Sequence, residues 1–298
     1  MDNDLSLDER TYSEMGLQDR PMVTIITVVL NGVRYLETCI ESVLNQSYPH
    51  IEHLFIDGGS KDGTVDVLSS YSNKYPKRIQ FISENDDGWS DAMNKGVTMA
   101  EGVILGNIGS DDVYEPGAIE AVVEFFRENP SAHLVFGDSN LIDEKGEIID
   151  RFRTKHFNLK DTINGNQFPA GPSTFYSREL FEKIGLFDSW AGDLDLLIRA
   201  GKVFPIYRIN KVLSSYRVHK GSLTTGSWER RKKQFREIRI ISRRHGGSIF
   251  SVYSRVYYAY VLIDWLRPIF GSIYPFIGKV TGKNIGKSKD DWAIRRKG

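Results

Sequence analysis

The chain has 298 residues, 40% of them hydrophobic and 26% charged, with 39 basic and 39 acidic side chains. This is enough apolar material for a sizeable core in one large domain, or in one domain with an appendage. A single cysteine, Cys39, excludes an intramolecular disulfide and points to a reducing compartment. No uninterrupted apolar run approaches the ~20 residues of a membrane span, and the first residues lack the apolar core of a signal peptide. The sequence therefore predicts a cytoplasmic protein.

The zero net charge hides an uneven distribution. Residues 1–20 hold two basic and six acidic side chains, residues 21–227 twenty and twenty-eight, and residues 228–298 seventeen and five. An acidic body with a basic tail follows. Residues 1–20 are polar and aperiodic and read as a flexible arm. From Met22 the pattern alternates. Val23–Val29 reads as a strand buried on both faces. Val33–Asn45 reads as a helix that ends before Pro49, with Cys39 a buried structural thiol on its apolar stripe. Strands are predicted at Ile51–Ile56, Arg78–Ile82, Val103–Gly106 and Leu134–Phe136. The intervening helices are Gly63–Tyr75, Ser90–Met99 and Glu115–Glu128. This order predicts an α/β, Rossmann-like and mostly parallel sheet with helices on both faces.

After Asp138 the elements shorten. Leu141–Ile149 reads as a hairpin, Ser173–Tyr176 as a strand and Asp193–Ala200 as a helix. The tail, 228–298, reads as a helical extension. It begins with a run of eight cations from Arg230 to Arg244 and continues into an aromatic stretch from Ile249 to Ile277. Two roles fit it equally: a helix packed on the body or on another subunit, and a peripheral membrane contact on the inner face of the cell membrane. No nucleic-acid-binding module is visible.

Two acidic signatures carry the chemistry. Asp57-Gly58-Gly59-Ser60-Lys61-Asp62-Gly63-Thr64 and Ser110-Asp111-Asp112 each follow a predicted strand. Ligands of open α/β sheets bind at the carboxyl ends of strands. Adjacent carboxylates on a turn call for a cation or donors, and Mg²⁺ or Mn²⁺ held by one or two carboxylates plus phosphate oxygens meets that need. The same residues also serve a bland role: Ser60 and Asp62 as caps, and Asp111-Asp112 as a solvated turn.

The order of motifs resembles glycosyltransferase family 2, the inverting nucleotide-sugar transferases with a GT-A fold. The matching stretches are Thr24-Ile25-Ile26-Thr27 with Asn31, the octapeptide from Asp57, and Asp91-Ala92-Met93-Asn94-Lys95-Gly96. Ser110-Asp111-Asp112, Ser173-Thr174-Phe175 with Phe187-Asp188, and Gly192-Asp193-Leu194-Asp195-Leu196 with Arg199 complete the set. The resemblance implies that Thr27, Asn31, Asp57, Gly58, Asp86, Asn94 and Asp111 line the donor. It implies that Asp112 holds Mn²⁺ or Mg²⁺ on the diphosphate, and that Asp193 is the general base. Asp195 is expected either to cap the helix or to pair with Arg199, four residues on. His219, in the loop after a strand-like run, is expected as a second metal ligand or a diphosphate contact, with a plain surface-loop histidine the alternative, and Arg217 and Lys220 are expected phosphate contacts. Gly58 departs from the second acid that many members carry at this place.

The expected activity is metal-dependent, inverting transfer of a sugar from a nucleoside-diphosphate donor to a glycan or lipid-linked acceptor in surface polysaccharide synthesis. A homo-oligomer is compatible with it. The alternative is a catalytically inactive nucleotide-sugar-binding scaffold. A nucleotidyltransferase is disfavoured, because Val29-Leu30-Asn31-Gly32-Val33 offers one glycine where a phosphate loop needs several.

Overall fold

The structure, a computed structural model, describes residues 20–169, 171–188, 191–219 and 228–270, with side chains described as far as residue 264. Apart from Arg20, the expected N-terminal arm lies outside the described residues, as do Lys220 and the end of the tail. The chain divides into two compact units, with the break between Val218 and His219.

The first unit is built on one nine-stranded sheet. Its strands are β1 (Val23–Val29), β2 (Ile51–Asp57), β3 (Ile79–Ser83), β4 (Ile104–Asn107), β5 (Val113–Tyr114), β6 (Leu134–Ile142), β7 (Ile148–Phe152), β8 (Thr174–Ser177) and β9 (Tyr207–Arg217). Their spatial order is β3-β2-β1-β4-β8-β6-β9-β5, with β7 paired to β6. β3, β2, β1 and β4 run parallel in one register. Strand β8 is inserted antiparallel between β4 and β6. The GT-A class expected from the motifs is the class observed: a curled, mostly parallel sheet covered by helices.

The helices are α1 (Val33–Leu44), α2 (Thr64–Lys74), α3 (Trp89–Met99), α4 (Ala118–Glu128), α5 (Leu159–Asn164), α6 (Arg178–Ile184) and α7 (Gly192–Val203). In α1 the buried residues are Leu36, Cys39, Ile40 and Val43, the one-face spacing of an amphipathic helix. Cys39 and Val43 join Ile25, Ile119, Val122, Phe175 and Leu213 in a core under α1 and α4. On the other face Ile26, Met93, Leu105, Phe136, Leu180 and Leu196 form a second core, under α3, α6 and α7. Burying apolar side chains on both faces, at about 25 cal/mol per Å², fixes the strand ends along one edge.

The largest departure from expectation is β6. The sequence predicts a strand over Leu134–Phe136, but β6 runs on to Ile142. The extra residues are polar and buried because they satisfy one another. Ser139 Oγ lies 2.7 Å from both Ser173 Oγ and Ser214 Oγ, and Asn140 donates to Glu115 Oε1 at 3.1 Å. A hydropathy pattern carries no sign of such pairing.

In the second unit, α8 (Trp228–Arg244) packs on α9 (Val252–Phe270). Asp264, which interrupts the apolar run in the sequence, is neutralised there. It accepts from Trp228 Nε1 at 2.7 Å and pairs with Lys232. Phe235 stacks on Tyr260, and the Trp228 ring lies tilted against it.

Candidate active site

The site is built on the carboxyl ends of β1, β2, β3 and β4 and on the start of α7. The β1 and β2 turns are stitched together by hydrogen bonds. Backbone amides of Asn31, Gly32 and Val33 donate to Ser60 Oγ (2.7 Å), Thr64 Oγ1 (3.0 Å) and Asp62 Oδ2 (3.1 Å). Lys61 N returns a bond to Asn31 Oδ1 at 2.9 Å. The unpaired amides at the start of α1 are thus capped by the neighbouring turn, not by their own side chain. Asn31 sits at φ 52°, a left-handed conformation that Asn tolerates better than most residues.

Asp57 is fully buried. It accepts from the amides of Gly59 and Ser60 at 3.1 and 3.0 Å, from Ser83 Oγ at 2.6 Å, and from Ser60 Oγ. Every bond it makes holds the β2–α2 turn or ties that turn to β3. Asp86, after β3, is half-buried beside this turn. Its Oδ2 lies so close over Gly58 that a Cβ there would stand 2.7 Å away. Gly58 is therefore a close-approach position, and the carboxylate beside it comes from Asp86. Gly88 N donates to Asp86 Oδ1 at 2.8 Å and fixes that carboxylate.

Two expected donor contacts point elsewhere. Thr27 is fully buried in β1, with its hydroxyl 2.9 Å from His53 Nε2 on β2. Its side chain faces the core because the strand alternates and Thr27 falls on the face of Ile25. Asn94, on α3, closes both ends of one peptide. Its Nδ2 donates to Phe187 O at 2.8 Å and its Oδ1 accepts from Phe187 N at 3.0 Å. In this structure Thr27 and Asn94 are structural ties, and they position the turns that carry the site.

Beyond β4 lies the paired acid. Asp111 and Asp112 converge over Gly109: a Cβ on that glycine would lie 2.7 Å from Asp111 Oδ1 and 2.8 Å from Asp112 Oδ2. Asp112 is buried. Burial and the Asp111 charge push its carboxyl well above the usual carboxylate range, against the Arg217 amide and guanidinium and the Gly109 amide. A divalent cation would add positive charge beside this pair. The donor set fits one: oxygen ligands only, one or two carboxylates, the rest from phosphate and water. Among the described residues no group of three or more His, Cys, Asp or Glu side chains is placed to hold a metal by protein ligands alone. His219 begins the second unit and remains an expectation.

Arg217 is the residue whose part the sequence did not reveal. It is buried. Its amide donates to Asp112 Oδ1 at 2.8 Å, and its guanidinium donates to Asp111 O (2.8 Å) and Asp143 O (3.0 Å). The guanidinium also lies 4.6 Å from the Tyr35 ring centroid. The expected phosphate contact is instead a brace for the acidic turn.

Asp193 lies in the first turn of α7, half-buried, with Oδ1 accepting from Leu194 N at 2.8 Å. Burial pushes its carboxyl up, partly offset by that bond. The Asp193 charge also acts on the buried Tyr176 hydroxyl, a neighbour that no sequence signal marked. Asp195 is buried and pairs with Arg199 at 2.6 Å, as expected. Arg199 in turn donates to the carbonyls of Ile184 and Leu186. Ser90, at the start of α3, sits against Gly192, where a Cβ would be 2.8 Å from Ser90 Oγ.

The fold is of the GT-A class. Residues 24–185 match the family model "Glycosyl transferase family 2", and the chain belongs to that family. The chain is 31% identical over 233 residues to TuaG of Bacillus subtilis (strain 168), a glycosyltransferase named for teichuronic acid biosynthesis, covering 76% of this chain and 90% of that protein. It is 30% identical to an uncharacterised glycosyltransferase of Rickettsia prowazekii (strain Madrid E), over 68% of this chain and 66% of that protein. With chondroitin synthase of Escherichia coli it shares 29% identity, over 67% of this chain and only 29% of that protein. Two solved structures share the fold. S. aureus TarS 1–349 in complex with UDP-GlcNAc has a TM-score of 0.58 at 17% identity, covering 74% of this chain and 66% of that one. Mannosyltransferase PcManGT from Pyrobaculum calidifontis in complex with GDP-Man and Mn²⁺ also has a TM-score of 0.58, at 19% identity, covering 77% of this chain and 66% of that one.

Proposed function

We propose that this glycosyltransferase moves a sugar from a nucleoside-diphosphate donor to a hydroxyl of a glycan or lipid-linked acceptor, with inversion, during polysaccharide synthesis. The observation that carries the reading is the convergence of Asp111 and Asp112 over Gly109 at the end of β4. Two relatives are named for polysaccharide synthesis, and two neighbours of the same fold hold nucleotide sugars, one with Mn²⁺.

Asp86 and Asp111 flank the donor's nucleoside and sugar, and Asp112 holds Mn²⁺ or Mg²⁺. When bound, that ion supplies positive charge against the departing diphosphate. Asp193 accepts the proton of the acceptor hydroxyl, whose oxygen forms the new bond to the anomeric carbon. The bond from that carbon to the diphosphate breaks, and the nucleoside diphosphate leaves with the electron pair. A single displacement from the opposite face inverts the carbon. The raised pKa of Asp193 suits this part, because a stronger base takes the proton more readily. Arg217 keeps the acidic turn in place.

The second unit supports peripheral contact with an anionic membrane. Helix α8 carries eight cations. Phe250, Tyr258 and Leu262 are 75%, 50% and 54% exposed. No helix among the described residues is long and apolar enough to cross a membrane.

The deciding experiment screens UDP-, GDP- and dTDP-sugars for turnover with Mn²⁺ and with chelator. Cation-dependent release of one nucleoside diphosphate, with an inverted glycoside by NMR, is the expected result. Nucleotide-sugar binding without turnover on any donor or acceptor would leave the scaffold reading instead.

A further inference from the structure

A cleft of about 320 Å³ opens on the first unit between β6, β7 and β9, lined by none of the strand-end residues described above. Its lining includes Arg151, Arg153, Arg208 and Lys211, with Asp138 the one acid among them. The backbone explains how these cations come together. β6 and β9 are parallel, but Phe136 is level with Arg208 while Asp138 is level with Val212. Three residues of β9 therefore oppose one of β6, and this bulge places Lys211 at the surface. Arg151 and Arg153 are two apart on an extended segment and share a face.

Asp138 is already engaged. Both of its oxygens accept from Arg208 Nη2 at 2.9 Å, and Oδ1 also accepts from Thr154 N and Oγ1. Arg208 is further fixed by Thr154 Oγ1 and Asn210 Oδ1 at 3.0 Å. Among the described residues Arg151, Arg153 and Lys211 have no ion-pair partner, and all three are exposed. Residues 21–227 carry eight more acids than bases, so an unbalanced basic cleft runs against the surrounding charge. Like charges held this close repel unless an anion joins them. Arginine forks match carboxylate and phosphate; that of Arg208 is taken by Asp138, Thr154 and Asn210, which leaves the forks of Arg151 and Arg153 for a ligand. The volume is at the lower end of ligand pockets, ~300–1,000 Å³, the size of one anionic sugar unit.

We propose that this cleft is an anion subsite for the acceptor glycan, holding a carboxylate or phosphate on a sugar other than the one that reacts. The proposal rests on the glycosyltransferase reading above and adds the chemical class of its acceptor. Binding of trigalacturonate, a glycerol phosphate trimer and neutral maltotriose to the full chain tests it by calorimetry. The nucleoside diphosphate that the donor screen identifies is titrated on the same samples.

One or both anionic probes should bind in a salt-sensitive way while maltotriose does not, and the stronger of the two identifies the source of the anion. Arg151→Ala/Arg153→Ala should weaken that binding by about tenfold or more, with nucleotide affinity and melting temperature unchanged. Lys211→Glu, on the exposed bulge, should weaken it independently and serves if the double variant folds poorly. Anionic probes that bind no better than maltotriose would overturn the proposal, and so would variants that bind them as the wild type does. Loss of nucleotide binding or turnover in the wild type would instead count against the enzymatic reading and is scored separately.

Discussion

The acids of the turn after β2 and the acids at β4 and α7 occupy opposite states. Asp57 and Asp62 accept hydrogen bonds from nearby amides and hydroxyls, and those bonds build turns. Asp112 and Asp193 are crowded or buried, and both are pushed upward by their surroundings. An acid that is internally satisfied shapes the backbone. An acid held in an unfavourable environment is available for a proton or a cation. Nearby sequence patterns that look alike thus divide into scaffold and chemistry.

The division breaks most visibly at Asp193. Asp193→Asn should lower kcat by about 10²–10⁴-fold while nucleotide binding survives. The proposed base acts only when deprotonated, so the wild-type rate should fall as pH drops through its pKa. Burial has raised that pKa, so the acid limb of the kcat profile should lie above the ~4 of an ordinary carboxylate. Asp112→Asn should cost about 10²–10³-fold in rate and, unlike Asp193→Asn, should also remove the cation dependence of donor binding. A variant pair with the same binding profile would erase the distinction between the two acids.

Next in size is the scaffold side. Asp57→Ala leaves two amides and two hydroxyls without their acceptor, at a cost of about 3 kcal/mol in stability by urea denaturation. If Asp57 instead serves the donor, the variant will melt normally and show only a raised donor KM. Arg217→Lys keeps the charge and loses the planar fork, so turnover should fall about tenfold with a small change in melting temperature. Equal losses of rate and stability would make Arg217 a plain core residue.

Per pH unit the smallest effect belongs to His53, buried beside Thr27 with its Nδ1 unpartnered among the described residues. Burial and then the Arg78 charge push its pKa down to about 3. The folded state keeps it neutral, while the unfolded chain takes up a proton below about pH 6.5. Stability from this group is therefore present above about pH 6.5 and declines toward pH 3, by at most about 1.4 kcal/mol per pH unit. Denaturation at a series of pH values should show that slope, and His53→Gln should flatten it.

Much of the fold was legible because it follows apolar periodicity. Helix α1 and strands β1, β2 and β4 fall within a residue or so of their expected bounds. Strand β8 was also found, within a residue of its expected bounds, but not its antiparallel place between β4 and β6; the continuation of β6 and the β9 bulge were hidden, because they rest on pairing between residues distant in sequence. At the site, the strand-end acids were found from local sequence, and Asp195–Arg199 formed as its spacing implies. The state of each acid was not legible. Whether Asp57 is satisfied depends on Ser83, twenty-six residues away, and the brace on Asp112 comes from Arg217, 105 residues away.

The Asn94 clamp on Phe187 makes one amide proton informative. Phe187 N–H lies outside helix and strand, yet it is held by a side chain ninety-three residues distant. Its hydrogen-exchange rate therefore reads out a single event, the release of α3 from the segment leading to Asp193. Followed with and without nucleotide, that one resonance would report whether filling the donor side tightens the base side.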